Sequence, residues 1–213
     1  MVGVFLGSFD PPHIGHLSII SSALNTDRIS GVYVVPALEN PWKKNQTPWE
    51  LRYRLCKEAF SSYGCSVTIS DAEPRIVTDS ILQQKYYEGD NTMTDRKHTV
   101  PSYVLLRYLR DTLKDDILLI TSVETLGEIN RWNHGELVLK ENKFLLIKYV
   151  GEDIKDIPES DNILPVISDR EQIRVCSTKI RDYISKNRIV HEYLPGRTEE
   201  LINELNLYKK CQS

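Results

Sequence analysis

Residues 2–16 read VGVFLGSFDPPHIGH, in which an apolar run leads into a turn rich in glycine and proline and then to two histidines. The apolar run Val2–Gly7 is typical of a parallel strand that is covered on both faces. The two prolines that follow suit a turn or the first turn of a helix. From Ile14 to Leu24 the apolar residues recur at helical spacing. We therefore predict a buried strand, a tight turn and a helix at the start of the fold.

Short β-rich runs alternate with longer helical stretches along the rest of the chain. This alternation predicts an α/β fold, a Rossmann-like doubly wound parallel sheet, with a C-terminal helical cap at about residues 187–213. No repeat or low-complexity linker divides residues 1–213, so we predict a single domain. The polar stretch Thr78–His98 is predicted to be a long surface loop, and Pro165 indicates a strand near a sheet edge. The further predicted strands are Gly31–Pro36, Ser66–Ser70, Asp116–Thr121, Phe144–Val150 and Ile163–Ile167, and the further helices are Pro48–Phe60, Tyr103–Leu113, Ser177–Ser185 and Thr198–Tyr208.

The composition is that of an ordinary globular protein. Of 213 residues, 40% are hydrophobic, and the net charge of −3 gives no basic excess for non-specific nucleic-acid binding. No apolar run of membrane-spanning length occurs, and the N-terminal run lacks the basic residues of a secretory leader. The cysteines form no CxxC pair, so we expect free thiols in a reducing compartment, the cytoplasm or, in a eukaryote, also the nucleus. They are Cys56, Cys65, Cys176 and Cys211.

The turn from Gly7 to His16 is placed where α/β folds bind ligands, at the carboxyl end of a strand. Gly7 would let a phosphate approach the backbone closely. The N-terminus of the following helix offers N–H groups and the positive end of the helix dipole. His13 and His16 are three residues apart and are expected to share a face of that helix. The segment predicts a nucleotide or phosphate site, with two surface histidines at a helix start as the alternative.

A second segment, CSTKIR at residues 176–181, follows the last predicted strand and opens a helix. Ser177 is a good N-cap residue, and Arg181 lies one turn further along on the same face. Lys179 or Arg181 could meet the pyrophosphate end of a bound nucleotide. Taken alone, the segment is better described as a capped helix with exposed basic residues.

Together, the two segments resemble the nucleotidyltransferase α/β phosphodiesterase superfamily. The first carries its HxGH signature after a G-S/T-F-D turn, and CSTKIR is similar to the S-S/T-T-x-I/V-R motif of the adenylyltransferase branch. Members transfer a nucleoside monophosphate from ATP or CTP to an acceptor and release pyrophosphate. The HIGH tetrapeptide also occurs in class I aminoacyl-tRNA synthetases, which are much longer and carry a KMSKS-type loop that this chain lacks. The resemblance implies ATP-binding roles for Gly7, Ser8, Phe9, His13, His16, Ser177, Thr178, Lys179, Ile180 and Arg181.

Further segments resemble the nicotinate and nicotinamide mononucleotide adenylyltransferases. PWKKN at residues 41–45 is similar to their P-x-K-K segment, and TV at residues 99–100 to a segment that contacts the nicotinic group. At their G-A-D-x-L motif this chain departs, with Ser122 in place of the Gly and Glu124 in place of the Asp. Trp132 resembles their tryptophan that stacks on the pyridine ring, or else it fills an edge of the core. The resemblance implies mononucleotide-binding roles for Ser8, Phe9, Lys43, Lys44, Thr99, Ser122, Glu124 and Trp132.

The implied reaction joins the AMP part of ATP to the mononucleotide, giving an NAD-type dinucleotide and pyrophosphate. It is a direct in-line transfer with no covalent enzyme intermediate, so catalysis rests on positioning and on neutralising charge. The catalytic residues implied are His13, His16, Lys43 and Arg181. The implied cofactor is Mg²⁺ bound with the ATP phosphates, without a metal site of protein side chains. The implied partners are ATP and a pyridine mononucleotide, without nucleic acid or membrane, and a homo-oligomer is left open.

Two alternatives remain open on the sequence. Pantetheine-phosphate adenylyltransferases share both main motifs, although they are usually shorter and lack the C-terminal stretch seen here. A non-catalytic nucleotide-binding protein on the same fold would fit the departures at Ser122 and Glu124. Against that second alternative, both histidines and Arg181 are intact.

Overall fold

The computed structural model describes residues 1–87, 99–149, 152, 160–168 and 175–209. In these residues six parallel strands form one sheet in the order β3-β2-β1-β4-β5-β6. This arrangement confirms the predicted α/β fold with a doubly wound parallel sheet. The strands are β1 (Val2–Gly7), β2 (Val32–Pro36), β3 (Val67–Ile69), β4 (Ile117–Ser122), β5 (Lys143–Tyr149) and β6 (Ile163–Ser168).

Helices cover both faces of the sheet, and four of them were not predicted: those at Ala72–Thr78, Ser80–Tyr86, Val123–Glu128 and Gly135–Glu141. Short 3₁₀ segments lie at Ser61–Ser66, Ile129–Arg131 and His191–Tyr193. The α-helices are α1 (Ile14–Leu24), α2 (Trp49–Ala59), α3 (Ala72–Thr78), α4 (Ser80–Tyr86), α5 (Ser102–Leu113), α6 (Val123–Glu128), α7 (Gly135–Glu141), α8 (Ser177–Ser185) and α9 (Thr198–Glu204). In the described residues no helix is long and apolar enough to cross a membrane.

The first strand shows why its sequence is apolar throughout. Val4 points into a cluster with Leu106 of α5, whereas Phe5 points into a second cluster with Ile20 of α1. Successive side chains of a strand face opposite sides of the sheet, so a strand covered on both faces needs apolar residues at every position. By contrast, β6 is the edge strand, and Pro165 in it confirms the predicted edge position.

The prediction of a long loop over Thr78–His98 is wrong in its first half. Ser80–Tyr86 forms α4, because the Asp79 side chain accepts hydrogen bonds from the backbone N–H groups of Ile81 and Leu82 and so caps the helix. Leu82 and Tyr86 lie one turn apart and pack on the core cluster. A few apolar contacts are therefore enough to order a polar segment. Residues 88–98 of the predicted loop lie outside the described residues.

The C-terminal helices form a third cluster with α2. Leu55 of α2 packs there against Ile180 and Ile184 of α8 and Leu201 of α9. The predicted helix Thr198–Tyr208 ends four residues early, at Glu204. The single-domain assignment, with this segment as a cap, stays a prediction.

Asp79→Ala should destabilise the protein by about 1 kcal/mol, within the range of about 0.5–2 kcal/mol for loss of an N-cap side chain. The free energy of unfolding from urea titration measures the effect. Asp79→Asn is the matched control, because an amide oxygen can still accept from Ile81 and Leu82. Equal losses for both variants would mean that the cap does not stabilise α4.

Candidate active site

The sheet has a crevice at the point where its strand order reverses. β1 and β4 are neighbours; β2, which follows β1 in the chain, lies on one side of this pair, and β5, which follows β4, lies on the other. The helices after β1 and those after β4 pack on opposite faces. In open α/β sheets ligands bind in the crevice beyond the carboxyl ends of such strands. Gly7 and Ser122 end these two strands, so the HxGH turn and the segment with Glu124 border the crevice.

His13 and His16 form a reciprocal hydrogen-bonded cap at the start of α1. His13 is the N-cap residue with extended backbone, so it precedes the helix instead of sharing a helical face with His16 as predicted. His13 Nδ1 accepts from the Gly15 N–H at 3.2 Å, and His16 Nδ1 accepts from the His13 N–H at 3.1 Å. The two rings still lie together, with centroids 3.8 Å apart. The pattern is a capping box in which histidines occupy both side-chain positions.

This cap fixes the protonation state of both rings. Because each Nδ1 accepts a hydrogen bond, a neutral ring carries its proton on Nε2. Burial, and then the positive charge of Lys43, lowers the pKa of His13 to about 4. Burial, followed by the charges of His13 and Lys43, lowers the pKa of His16 well below its usual value. Near neutral pH the ligand-free site therefore presents two neutral Nε2–H donors.

Phe9 packs against the ring of His16. It is 1% exposed, and its ring meets that of His16 edge-on with centroids 4.9 Å apart. A Cβ at Gly7 would lie 2.9 Å from the Phe9 ring, so glycine at that position leaves room for the aromatic side chain. The Phe9 side chain is thus used in packing, and its φ of 48° places its backbone in the left-handed region. The close phosphate approach at Gly7 stays a prediction.

The loop that carries Lys43 is held by Arg52, a side chain that is 1% exposed. Arg52 donates from Nε to the Thr47 carbonyl at 2.7 Å, and from its two terminal nitrogens to the Ser8 and Leu38 carbonyls at 2.8 Å each. One guanidinium therefore ties both ends of the loop after β2 to the turn after β1. Burial lowers the pKa of Arg52, whereas the negative charge of Asp10 raises it.

Glu73 of α3 fixes the same loop from the other side. Its carboxyl accepts from the Leu38 N–H at 2.6 Å, and burial raises its pKa to about 8, against the effects of that hydrogen bond and of the Arg52 charge. Neither Glu73 nor Arg52 was predicted from the sequence. A signal exists for Arg52, because it shares the buried face of α2 with Leu55 and Cys56, and a charge in an apolar stripe requires partners.

Lys43 lies close enough to the two neutral histidines for its charge to lower the pKa of both. Desolvation lowers its pKa, the charge of Arg181 lowers it further, and Asp10 opposes both. A cavity of about 500 Å³ borders Lys43, which is a usual size for a small-molecule site. The cavity is lined by Leu38, Glu39, Asn40, Lys43, Asn45, Gln46, Thr47, Pro48, Trp49, Glu50 and Arg52.

The second motif meets the first through two backbone carbonyls. Ser177 Oγ donates to the Pro11 carbonyl at 2.9 Å, and Arg181 donates to the Asp10 carbonyl at 2.7 Å. Ser177 is thus the first residue of α8 and not its N-cap; Cys176 holds the cap position and makes no side-chain capping bond within the described chain. The prediction that Ser177 and Arg181 share a face is confirmed by their common target.

Two other residues of this motif differ in their exposure. Ile180 is fully buried among Leu55 and its neighbours, and its N–H donates to the Cys176 carbonyl. Its side chain and its N–H are thus both engaged within the protein, and the implied ATP-binding role for Ile180 stays a prediction. Lys179 is exposed, with its ammonium 5.6 Å from the Tyr183 ring centroid.

Of the residues predicted for the acceptor, Phe9 contacts the ring of His16, and the charge of Lys43 acts on both histidines. Ser8 is buried, and its hydroxyl accepts from Asn40 Nδ2 at 3.1 Å. Ser122 caps α6 by accepting from the Thr125 N–H, which gives a local reason for serine where the family has glycine. Lys44, Thr178 and Glu124 are exposed, and Thr99 is half-buried before α5.

Trp132 has a rigid backbone and a half-buried ring that packs on the core cluster. Its N–H donates to the Ile129 carbonyl at 2.9 Å, and its carbonyl accepts from the Gly135 N–H at 3.0 Å. A Cβ at Gly135 would lie 1.9 Å from the Ile129 oxygen, so this tight turn requires glycine. The exposed part of the ring leaves both predicted roles of Trp132, stacking and packing, in place.

The pKa of His13 should be measurable by NMR titration of the ligand-free protein. We expect a midpoint of about 4, with the Nε2–H tautomer above it. Because the unfolded chain binds the proton more tightly, His13 should contribute stability that is present above pH 6.5 and is lost as the pH falls toward 4. The exposed His191 supplies a reference signal. A midpoint for His13 near 6.5 would contradict the buried cap.

Comparison with known proteins finds relatives that match nearly the whole chain. The chain is 27% identical to a probable nicotinate-nucleotide adenylyltransferase of Clostridium perfringens strain 13, over 98% of each chain. It is also 27% identical to one of Exiguobacterium sibiricum, over 97% of this chain and 98% of the relative. The fold matches Plasmodium falciparum nicotinic acid mononucleotide adenylyltransferase in its complexes with NaAD and APC, at TM-scores of 0.77 and 0.74 and identities of 17% and 16%, over 97% of this chain and 96% of those.

The family model described as cytidylyltransferase-like matches residues 4–183, a range that contains both motifs. It confirms the resemblance inferred from the HxGH and CSTKIR segments. Since the match spans most of the 213 residues, the chain belongs to the cytidylyltransferase-like family.

Proposed function

We propose that the protein is an adenylyltransferase that joins the AMP part of ATP to nicotinate or nicotinamide mononucleotide and releases pyrophosphate. The observation that supports the proposal best is the histidine cap at the start of α1, which occupies both Nδ1 atoms and leaves two neutral Nε2–H groups as donors beside the end of β1. Lys43 and Arg181 add positive charge beside them. Such a set of donors and cations suits phosphoryl groups at a helix N-terminus.

The curated relatives support the choice of acceptor, since their names specify nicotinate nucleotide. We therefore expect nicotinate mononucleotide to be the better of the two acceptors. Lys44, Thr99, Ser122, Glu124 and Trp132 would complete its site.

The chemistry needs no protein nucleophile. An acceptor phosphate oxygen attacks the α-phosphorus of ATP, and the bond from that phosphorus to the oxygen bridging toward the β-phosphate breaks as pyrophosphate leaves. Negative charge grows on the leaving oxygens during this step. His13 and His16 would donate hydrogen bonds to those oxygens, and the rigid cap means that they need not reorganise when charge develops. Arg181 and Lys43 would neutralise the phosphates and bring the two anions together.

Mg²⁺ would enter with the ATP phosphates and neutralise part of their charge. The described side chains fit such an ion only when the phosphates of the nucleotide coordinate it. Asp10, the carboxylate nearest the histidines in sequence, already receives hydrogen bonds on both oxygens, from Tyr208 and from the Thr47 N–H. Within the described residues no group of three His, Cys, Asp or Glu side chains could hold a metal. The cytoplasmic location stays a prediction.

A substrate panel tests the proposal directly. Purified protein is incubated with ATP, Mg²⁺ and one of nicotinate mononucleotide, nicotinamide mononucleotide or phosphopantetheine, and pyrophosphate and the dinucleotide are measured. Turnover with a pyridine mononucleotide supports the proposal. Turnover with phosphopantetheine alone would assign the chain to the other branch, and ATP binding without turnover would make it a non-catalytic nucleotide-binding protein.

His16→Asn should lower kcat by about 10²–10³, the usual loss for one donor to developing charge. Asparagine keeps an acceptor near the Nδ1 position for the His13 N–H, but it has no donor at the Nε2 position. His16→Gln should recover part of the loss, because its amide N–H reaches further. His191→Ala serves as the control for an exposed histidine. A folded His16→Asn variant with near wild-type kcat would refute this role for the cap.

Trp132→Ala should weaken mononucleotide binding by about five- to tenfold in calorimetry and leave ATP binding unchanged. Loss of aromatic stacking on a base costs about 1–3 kcal/mol, and a pyridine ring belongs at the lower end. Trp132→Phe should recover part of the affinity, since a smaller aromatic face remains. If alanine lowers only the melting temperature and the folded protein binds the mononucleotide normally, then Trp132 is a packing residue.

A further inference from the structure

Asp10 joins four segments of the chain at the edge of the site. It is 2% exposed, and its carboxylate accepts from the Tyr208 hydroxyl at 2.7 Å and from the Thr47 N–H at 3.2 Å. Its backbone carbonyl accepts from Arg181 at 2.7 Å. Three residues further along the chain stands His13, the first residue of the histidine cap. The position of Asp10 is therefore coupled to Arg181 of α8 and to the loop that carries Lys43.

Tyr208 reaches Asp10 because of the way α9 ends. The Leu207 N–H donates to the Ile202 carbonyl at 3.0 Å, and the Asn206 N–H donates to the Asn203 carbonyl at 3.2 Å. Asn206 has a φ of 51°, so the helix ends in a Schellman motif with asparagine at the left-handed position. Leu207 then packs on the C-terminal cluster. This turn reverses the chain and directs Tyr208 toward the turn after β1.

In this contact the Tyr208 hydroxyl is the donor and the Asp10 carboxylate is the acceptor. Burial, and next the negative charge of Asp10, raises the pKa of Tyr208 against the opposing effect of a hydrogen bond with the Thr47 side chain, so the phenol keeps its proton. A buried carboxylate that loses a donor bears the cost of an unpaired charge, and it recovers that donor only by moving. Movement of Asp10 would shift the carbonyl that holds Arg181 and the oxygen that holds Thr47. Loss of the Tyr208 hydroxyl would therefore displace both Arg181 and the loop that carries Lys43.

We propose that Tyr208 is a positioning residue of the nucleotide site, which acts through Asp10 on Arg181 and on the loop that carries Lys43. The inference rests on the proposed function, because it assigns these two cations to the phosphates. Tyr208 itself is 198 positions from Asp10 in the chain. Among the described residues it makes no hydrogen bond to His13, to His16 or to the Gly15 N–H that His13 caps. Its role is to hold the turn where in-line transfer needs it.

Tyr208→Phe tests the proposal with the loss of a single oxygen atom. We expect kcat/KM for ATP to fall by about tenfold, since small displacements of positioned groups cost up to about 10² in rate. The KM for the mononucleotide should rise as well, because the same movement of Asp10 displaces the loop that carries Lys43. Tyr193→Phe is the matched control: it lies in the same C-terminal cluster, and its hydroxyl bonds only the exposed Glu192 among the described partners. Assays run at a temperature where circular dichroism shows every variant folded.

A double-mutant cycle with Asp10→Asn separates positioning from general instability. If Tyr208 acts through Asp10, the double variant should be no worse than Asp10→Asn alone. Additive losses would overturn the proposal, as would a Tyr208→Phe variant indistinguishable from Tyr193→Phe. Failure of the proposed function is a separate result, seen as wild-type protein that releases no pyrophosphate. In that event the same four variants are compared for binding of a non-hydrolysable ATP analogue. A tenfold loss in Tyr208→Phe, in Asp10→Asn and in the double variant, but not in Tyr193→Phe, supports the coupling, and equal affinities refute it.

Discussion

Buried polar groups need hydrogen-bonding partners, and the turn between β1 and α1 takes its partners from all over the chain. Arg52 reaches the Ser8 carbonyl, Arg181 the Asp10 carbonyl, and Ser177 the Pro11 carbonyl. The turn has little regular structure of its own, so these long-range bonds are what hold it beside the sheet. The crevice, the loop after β2 and the C-terminal helices are all arranged around this one requirement.

The same requirement determines the chemistry available at the site. The Nδ1 atom of each histidine accepts a hydrogen bond from a backbone N–H, so only the Nε2–H remains for a ligand. Burial and the neighbouring cations keep both rings neutral, which makes them donors to phosphate without the repulsion of two adjacent imidazolium ions. A pair built this way is suited to charge that develops on oxygen and unsuited to removing protons from a weak nucleophile.

The parts of the site that could be predicted from sequence are those set by local spacing. The strand, the turn and the two histidines lie within fifteen consecutive residues, and the three-residue spacing of the histidines survives as a cap. Arg52, Glu73 and Tyr208 bond partners 44, 35 and 198 positions away, and nothing in their own neighbourhoods identifies those partners. Ser177 was expected to cap its own helix because that is the usual local role of serine, but a carbonyl 166 positions away captures its hydroxyl.

The helix N-termini that border the crevice differ in electrostatic character. At α6, Ser122 satisfies the Thr125 N–H, so that helix start has less positive character to offer, and the exposed carboxylate of Glu124 stands beside it. At α8, Cys176 supplies no capping bond in the described chain, and Arg181 lies on the first turns. The β4 side of the crevice would therefore suit the hydroxyl groups of a ribose, whereas the histidine donors at α1 and the cations Lys43 and Arg181 would suit phosphates. Because the reaction proposed here uses no nucleophile from the protein, this division of charge, and the hydrogen bonds that keep it in place, is the means by which the fold would promote transfer.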